Sequence, residues 1–446
     1  MEAEKKALGL LREKLIAEGF DHVRFYIEHT QKFNLNVMEG AAEKTVRSSE
    51  KAYFVEAGKD GKHCSTFFNN LEMMEDVVEQ MQISALGASE KDDPLLPFAE
   101  GQDWNQEFCP AQEPEVVDIL AQAEQIMYSD KRISCVDHCG CSQSFQEIIL
   151  MDENGTTLRD CQQSCSLNMS VISRENGDTE IAWSDRSGER LAGLDAKALA
   201  QEVKELGTQR LHAKPIPSGK YQVILKNSSA AELLEAYLPI FYGSEIQNDM
   251  SGLKGKEGQR ISIDDLNLVE DPALAHGRVH RHFDDEGTPV SKKYLIRKGR
   301  LEAILYNRKT AAKEEKSSTG NGFKENIRSS VGTAVTNVVM ENISGNTFSM
   351  EQLCEKMENG LIVTGLEGVF AGANTITGAF SLLCKGLVVE NGKAAKPFCE
   401  VTIAGNIYDL LMEIEAMGND PISTESGSQY LECPSLLLKG LAVSGL

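Results

Sequence analysis

Lys214-Pro215-Ile216-Pro217-Ser218-Gly219 divides the chain. Two prolines and a glycine within six residues interrupt both helical and strand periodicity, so this segment marks a domain boundary. Residues 1–213 then form one domain and residues 214–446 a second. Just past the boundary, Val223-Ile224-Leu225 reads as a strand, and Ser229-Ala-Ala-Glu232 has the spacing of a capping box opening a helix that Pro239 ends or kinks. Farther on the signals are mostly strands and hairpins, with turns at Lys298-Gly299 and Asn391-Gly392. Two helices interrupt them. One is capped by Ser349 with Gln352 and ends near Gly360; the other carries Ile407, Leu410, Leu411 and Ile414 and ends at Gly418.

On the other side of the boundary, Leu8, Leu11 and Leu15 share a helical face, and period two follows at Val23, Phe25, Ile27 and again at Phe33, Leu35, Val37. Leu71, Met74, Val78 and Met81 mark a second helix with Asn70 as its cap. From Ser84 to Pro114 the stretch is punctuated by Pro94, Pro97, Pro110 and Pro114, is rich in acids and has Lys91 as its only base, the composition of an irregular surface loop. A helix with the stripe Val116, Ile119, Ala123, Met127 comes next. Hairpins turning in type I′ at Asn154-Gly155 and Asn176-Gly177 follow, then a helix over residues 194–206. The expected fold class is α+β: an N-terminal α/β domain and a β-rich C-terminal domain with a few helices.

At 446 residues the chain exceeds one ordinary core, which agrees with two domains. With 41% hydrophobic and 25% charged residues it has a globular composition. Its 45 basic and 68 acidic residues give a net charge of -23, and no basic face offsets it, so nucleic acid is excluded as a partner. Residues 1–19 lack the apolar run of a signal peptide, and no stretch approaches a membrane span. Eleven cysteines without a secretory leader point to reduced thiols and a cytoplasmic location.

Three clusters invite a chemical reading. In extended strands Cys135, Cys139 and Cys141 share one face and His138 the other, so with Cys161 and Cys165 they pack a sheet rather than converge on zinc. His280 and His282, at i and i+2, would point the same way on a strand. Nearby Asp284, Asp285 and Glu286 could complete a metal shell or serve as acid and base, though loop histidines beside acids are commonly solvated ion partners. The glycine-rich stretches 252–258 and 365–378 fit neither a phosphate loop nor a dinucleotide turn, and no nucleophile elbow is present. Local chemistry alone therefore names no enzyme.

The second-domain motifs taken together do name a family. Phe283-Asp-Asp-Glu-Gly-Thr-Pro289, Leu295-Ile-Arg-Lys-Gly-Arg-Leu301 and Ser318-Thr-Gly-Asn-Gly322 resemble, in order and spacing, the TldD/PmbA family, long labelled modulators of DNA gyrase. Gly372-Ala-Asn374 with Thr377-Gly-Ala-Phe-Ser381, Val389-Glu-Asn-Gly392, Ile403-Ala-Gly-Asn406 and Met417-Gly-Asn-Asp420 are similar to its closing series. The resemblance implies a proteolytic role in peptide maturation and degradation, shared between two kinds of subunit. The TldD kind has a His-Glu-x-x-x-His helix at the start of the second domain and a cysteine near the C-terminus that complete a zinc site; the TldE or PmbA kind lacks them and pairs with it.

Set on the strand Val223 to Leu225, the metal helix would fall at about Glu235-Ala-Tyr-Leu-Pro-Ile240, which has no histidine; none occurs between His212 and His276. The downstream candidate, Cys433, is displaced from the family position. The resemblance thus implies a TldE/PmbA-type chain without catalytic residues or cofactor. Zinc is expected in a TldD-like partner subunit, in a heterodimer or higher assembly, and an extended peptide is the substrate, held by strand addition. The loops carrying Asp284, Asp285, Glu286 and Gly287, Ser318, Thr319, Gly320 and Asn321, and Asn374 and Thr377 are the expected substrate or interface contacts, unless they merely form turns. Two other readings stand beside this one: a homodimeric peptide-binding protein without a protease partner, and a metal-dependent hydrolase using His280 and His282.

Overall fold

The computed structural model describes residues 2–87, 98, 100–104, 106–426 and 429–446, with the side chains of residues 2 and 423–429 left aside. The expected loop residues Lys91, Pro94 and Pro97 lie outside the described residues. Helix α1 (Glu2–Ala17) buries Leu8, Leu11 and Leu15 completely against β1 (Asp21–Met38). The two period-two runs are one strand of 18 residues: Val23, Phe25 and Ile27 pack under α1 and α2 (Met74–Gly87), and Phe33, Leu35 and Val37 under α3 (Glu113–Met127) and α4 (Ala196–Gln209). With β2 (Ala41–Lys59), β3 (Lys62–Phe68), β4 (Gln102–Trp104), β5 (Ile133–Met151), β6 (Thr157–Glu175) and β7 (Asp178–Gly188), β1 forms a seven-stranded sheet. Its ladders are antiparallel except that β4 runs parallel to β6.

The structure departs from several of these expectations. Asn70 does not cap α2, because its Oδ1 accepts from the Glu72 amide in an Asx turn and the helix starts at Met74. The stretch read as one irregular loop contains the end of α2, strand β4 and the first turn of α3, where Pro114 is tolerated because the first-turn amides have no helical acceptor. Asn176 and Gly177, at φ 48° and 88°, make the expected two-residue turn between β6 and β7. At Asn154-Gly155 only the glycine has positive φ. There Asp152 Oδ1 accepts from the Asn154 and Thr156 amides and organises a longer connection. In β5 the ladder shifts register between Val136 and His138, so an extra residue reverses the facing and Val136, not Cys135, joins Cys139 and Cys141 in the core.

The second half opens with β8 (Gly219–Leu225) and α5 (Asn227–Tyr237). The Lys226 amide bonds Val363 O at the end of β8, so the helix begins at Asn227 with Lys226 as its cap; Ser229 lies inside it, and the expected capping box does not form. Pro239 does end the helix, and Leu238–Phe241 continues as a 3₁₀ turn. Strands β8, Gly360–Glu367, Ala379–Glu390, Lys393–Asn406 and Leu436–Ser444 pair in a ring, because the last returns to β8, and make a five-stranded barrel. A six-stranded sheet built on Leu266–Glu270 and Asn337–Asn342 packs beside it, sharing its core. Lys298-Gly299 and Asn391-Gly392 both turn with positive φ at each residue, and Ser349 caps its helix with Gln352 as read. The helix at Ile407 stops at Met412; Ile414 belongs to the strand Ile414–Gly418, whose pairing with Leu436–Ser444 overrides the helical stripe. The architecture is α+β. Among the described residues no helix is long and apolar enough to cross a membrane.

Candidate functional site

The loops singled out in the sequence come together as a buried knot. Asp284 is wholly buried: Oδ1 accepts from the amides of Glu286 (3.0 Å) and Thr288 (2.8 Å), and Oδ2 from that of Gly322 (2.9 Å). Burial pushes its carboxyl up to about 6 although those amides oppose the shift. Asp285 accepts from Arg281 Nη2 (2.8 Å) and the Lys324 amide (2.8 Å), and Glu286 from the Arg308 amide (2.7 Å). Gly287 has φ 79° and abuts the Phe98 ring. From the other loop, Ser318 donates to Tyr306 O, Thr319 accepts the Tyr306 amide and donates to Asn321 Oδ1, and buried Asn321 donates to Ala334 O. Gly320, at φ 71°, passes under Pro289. Hydrogen bonds within the chain engage these groups, so the motif series builds the scaffold between the two loops.

Asn374 and Thr377 are not part of the knot. Asn374 Oδ1 accepts from the Ile376 (3.1 Å) and Thr377 (2.9 Å) amides in an exposed turn, which Tyr237 at the end of α5 ties down by donating to Gly378 O and Ala379 O. His280 and His282 do not lie in a strand, and the geometry separates them. His280 Nε2 meets Gly277 O at 3.1 Å, whereas His282 contacts buried Asp160 through Nδ1 (3.0 Å) and its amide (2.8 Å) and stacks on Trp104 at 4.6 Å. Among the described residues no three His, Cys, Asp or Glu side chains group as a metal shell would require.

The open feature is a cleft between the two halves of the chain. Nearly all of α5 is buried, and the side that is not, Ser228, Glu232 and Glu235, recurs at helical spacing and lines this cleft. Opposite stand Ile181 and Trp183 on β7, and Phe370 closes one lip. The hollow is about 290 Å³, and a second of about 470 Å³, lined by Pro239, Tyr242 and Phe323, shares Glu235 and Phe370 with it, so the groove runs along the helix. Its floor is pinned by Arg210, which follows α4: Nε donates to Thr364 Oγ1 (3.0 Å) and Nη1 lies 3.7 Å from Glu180, which also takes Lys385 Nζ at 2.8 Å. Burial, together with the charge of Glu235, raises the Glu232 carboxyl to about 7. Sequence reasoning missed this cleft, since its walls come from four elements distant in the chain and no local motif spans them.

The residues present do not fit a zinc centre of the kind the resemblance describes. In the placement that the resemblance implies, Glu235 stands at the first ligand position, Pro239 ends the helix before a second could follow five residues on, and Ile240 at that place is buried in the core. Cys433 is fully buried with Sγ 3.8 Å from Met340 Sδ, and burial pushes its thiol well up, opposite to what a thiolate ligand needs.

Comparisons with known proteins agree with the motif series. Residues 107–211 match the PmbA/TldA metallopeptidase central domain and residues 218–445 the PmbA/TldA metallopeptidase C-terminal domain. The metalloprotease PmbA of Escherichia coli O157:H7 is 29% identical over 334 residues, 74% of this chain and 70% of its own length. A Methanocaldococcus jannaschii metalloprotease is 26% identical over 69% and 68% of the two chains. Among solved structures, a Thermotoga maritima protein described as a candidate modulator of a DNA gyrase superposes over 100% of both chains at TM-score 0.82 and 27% identity. TldE of Thermococcus kodakarensis shares the fold at TM-score 0.84 over 98% and 100% of the chains, with 20% identity. With more than half its length matched by the C-terminal domain alone, and a fold that agrees from end to end, the chain belongs to the PmbA/TldD family of metallopeptidases.

Proposed function

We propose that this chain is the TldE/PmbA-type subunit of a zinc metalloprotease: it carries no catalytic centre, pairs with a TldD-like chain that holds the zinc, and presents an extended peptide to it in peptide maturation and degradation. The observation that carries the reading is the cleft face of α5, the helix on which the resemblance would set the metal motif: it offers Ser228, Glu232 and Glu235 and then Pro239, with no imidazole. Three protein ligands are the usual minimum for catalytic zinc, and neither α5 nor Cys433 supplies them. Eleven free thiols fit a cytoplasmic location, and the charge of -23 is no attraction for DNA.

Reconstitution tests the reading. The chain is mixed with a related chain from the same organism that bears His-Glu-x-x-x-His, and cleavage of an unfolded peptide is followed. The chain alone should release no product even with added zinc, and the pair should cleave faster than the zinc-bearing chain alone. Cleavage by this chain alone, abolished by a chelator, overturns the proposal.

A further inference from the structure

We propose that the groove along α5 is a subsite for an extended peptide bearing a lysine or arginine side chain, whose cationic head meets Glu232 while its aliphatic stem lies on Trp183 and Phe370. The inference rests on the reading of the chain as a peptide-holding subunit and adds what that peptide must carry.

Shape comes first. Two hollows that share Glu235 and Phe370 make one elongated depression, suited to a strand of peptide rather than a compact metabolite. Its lips are apolar and uncovered: Ile181, Trp183 and Phe370 are 56%, 68% and 69% exposed. Large side chains this exposed and clustered beside a groove mark a surface that something covers, and flat aromatic faces take lysine stems and guanidinium planes well.

Charge decides the sign of the ligand. The groove's three cations are engaged within the chain: Arg210 and Lys385 by Glu180, and Lys324, whose Nζ donates to Ser329 O. Glu232 has no cation within ion-pair distance among the described residues, and Glu367 stands in the same lining. Glu232 lacks a counter-charge, a deficit that a ligand ammonium or guanidinium removes. A neutral or acidic side chain would leave it in place.

Ser229 supplies an independent observation. It is 1% exposed, it lines the groove, and its hydroxyl has no hydrogen-bond partner. Buried hydroxyls are nearly always bonded, so this one awaits a partner that a peptide amide or a side-chain ammonium would provide.

The test uses the full chain and three fluorescein-labelled peptides that differ at one central position: lysine, acetyl-lysine or glutamate, each flanked by leucines. Binding is read by anisotropy and by the emission of Trp183, one of two tryptophans in the chain. The lysine peptide should bind about tenfold or more tightly than its acetylated twin, the worth of one charge-assisted contact, and the glutamate peptide more weakly still. Glu232→Gln should erase the preference, and Trp183→Ala should weaken the lysine and acetyl-lysine peptides and remove the emission change. Equal affinity for all three, no binding at millimolar peptide, or a lysine preference that survives E232Q overturns the inference. Such a failure leaves association with a zinc-bearing chain untouched, because that is measured without peptide; loss of that association sinks the subunit reading without altering these titrations.

Discussion

At the scale of single residues, Glu232 sets a pH dependence whose sign can be worked out. Its carboxyl stands near 7 in the folded chain against 4.5 for an ordinary glutamate. The folded state therefore holds the proton more tightly. Below about pH 4.5 this contribution is fully present, and it is lost as pH rises through 7. The side chain is partly open to water, which reduces the effect to about 1–2 kcal/mol. Glu232→Gln is neutral throughout, so denaturant melts should find it about 1–2 kcal/mol more stable than the native chain at pH 8 and close to it at pH 4.5. A difference that does not change with pH would contradict the assignment. Gly320 gives a backbone counterpart. At φ 71°, with an added Cβ falling 2.5 Å from Pro289 O, Gly320→Ala should cost about 2 kcal/mol or more in the same melts, and a neutral result would mean that the loop relaxes freely.

Elements explain why some of this is readable in the sequence and some is not. Phe283 to Pro289 and Ser318 to Gly322 stand out because the knot needs particular residue types: carboxylates to gather amides, and glycines where loops turn or cross. That pattern is local, so it survives as a motif. Helix α5 defeats the local reading because its start is set by the exit from β8 and a bond to Val363, which override the Ser229 signal. The helix at Ile407 likewise yields to sheet pairing at Ile414. The knot itself makes a prediction. Arg281 is buried between Asp285 and Asp160, with Nη2 2.8 Å from the first and Nε 3.7 Å from the second. Arg281→Ala leaves two buried carboxylates without it and should cost about 3–5 kcal/mol. Pairing Arg281→Met with Asp285→Asn should recover much of that loss in a double-mutant cycle; additive losses would show that the two do not act as a unit.

Across the whole molecule polar bridges fasten the two halves that line the cleft. Arg210 reaches Thr364, Lys385 reaches Glu180, and the His282 amide donates to Asp160. Arg210→Met should lower stability by about 2 kcal/mol and speed amide exchange in Gly360–Glu367, the strand it holds; exchange confined to the helix before it would contradict the bridging role. The order of elements and most turns are readable in the sequence, since caps, paired positive-φ residues and stripes are short-range. The closure of the barrel and the meeting of β7 with α5 are not, because they join residues far apart in the chain. A chain that contributes no metal centre and works beside one that does, as proposed, should be recovered together with it. Native mass spectrometry of the tagged chain, purified gently from its own organism, reads partner and metal together. A second subunit of similar size should appear, whose loss removes one zinc and leaves this chain metal-free. A chain that runs alone, or only with itself, and carries stoichiometric zinc would contradict it.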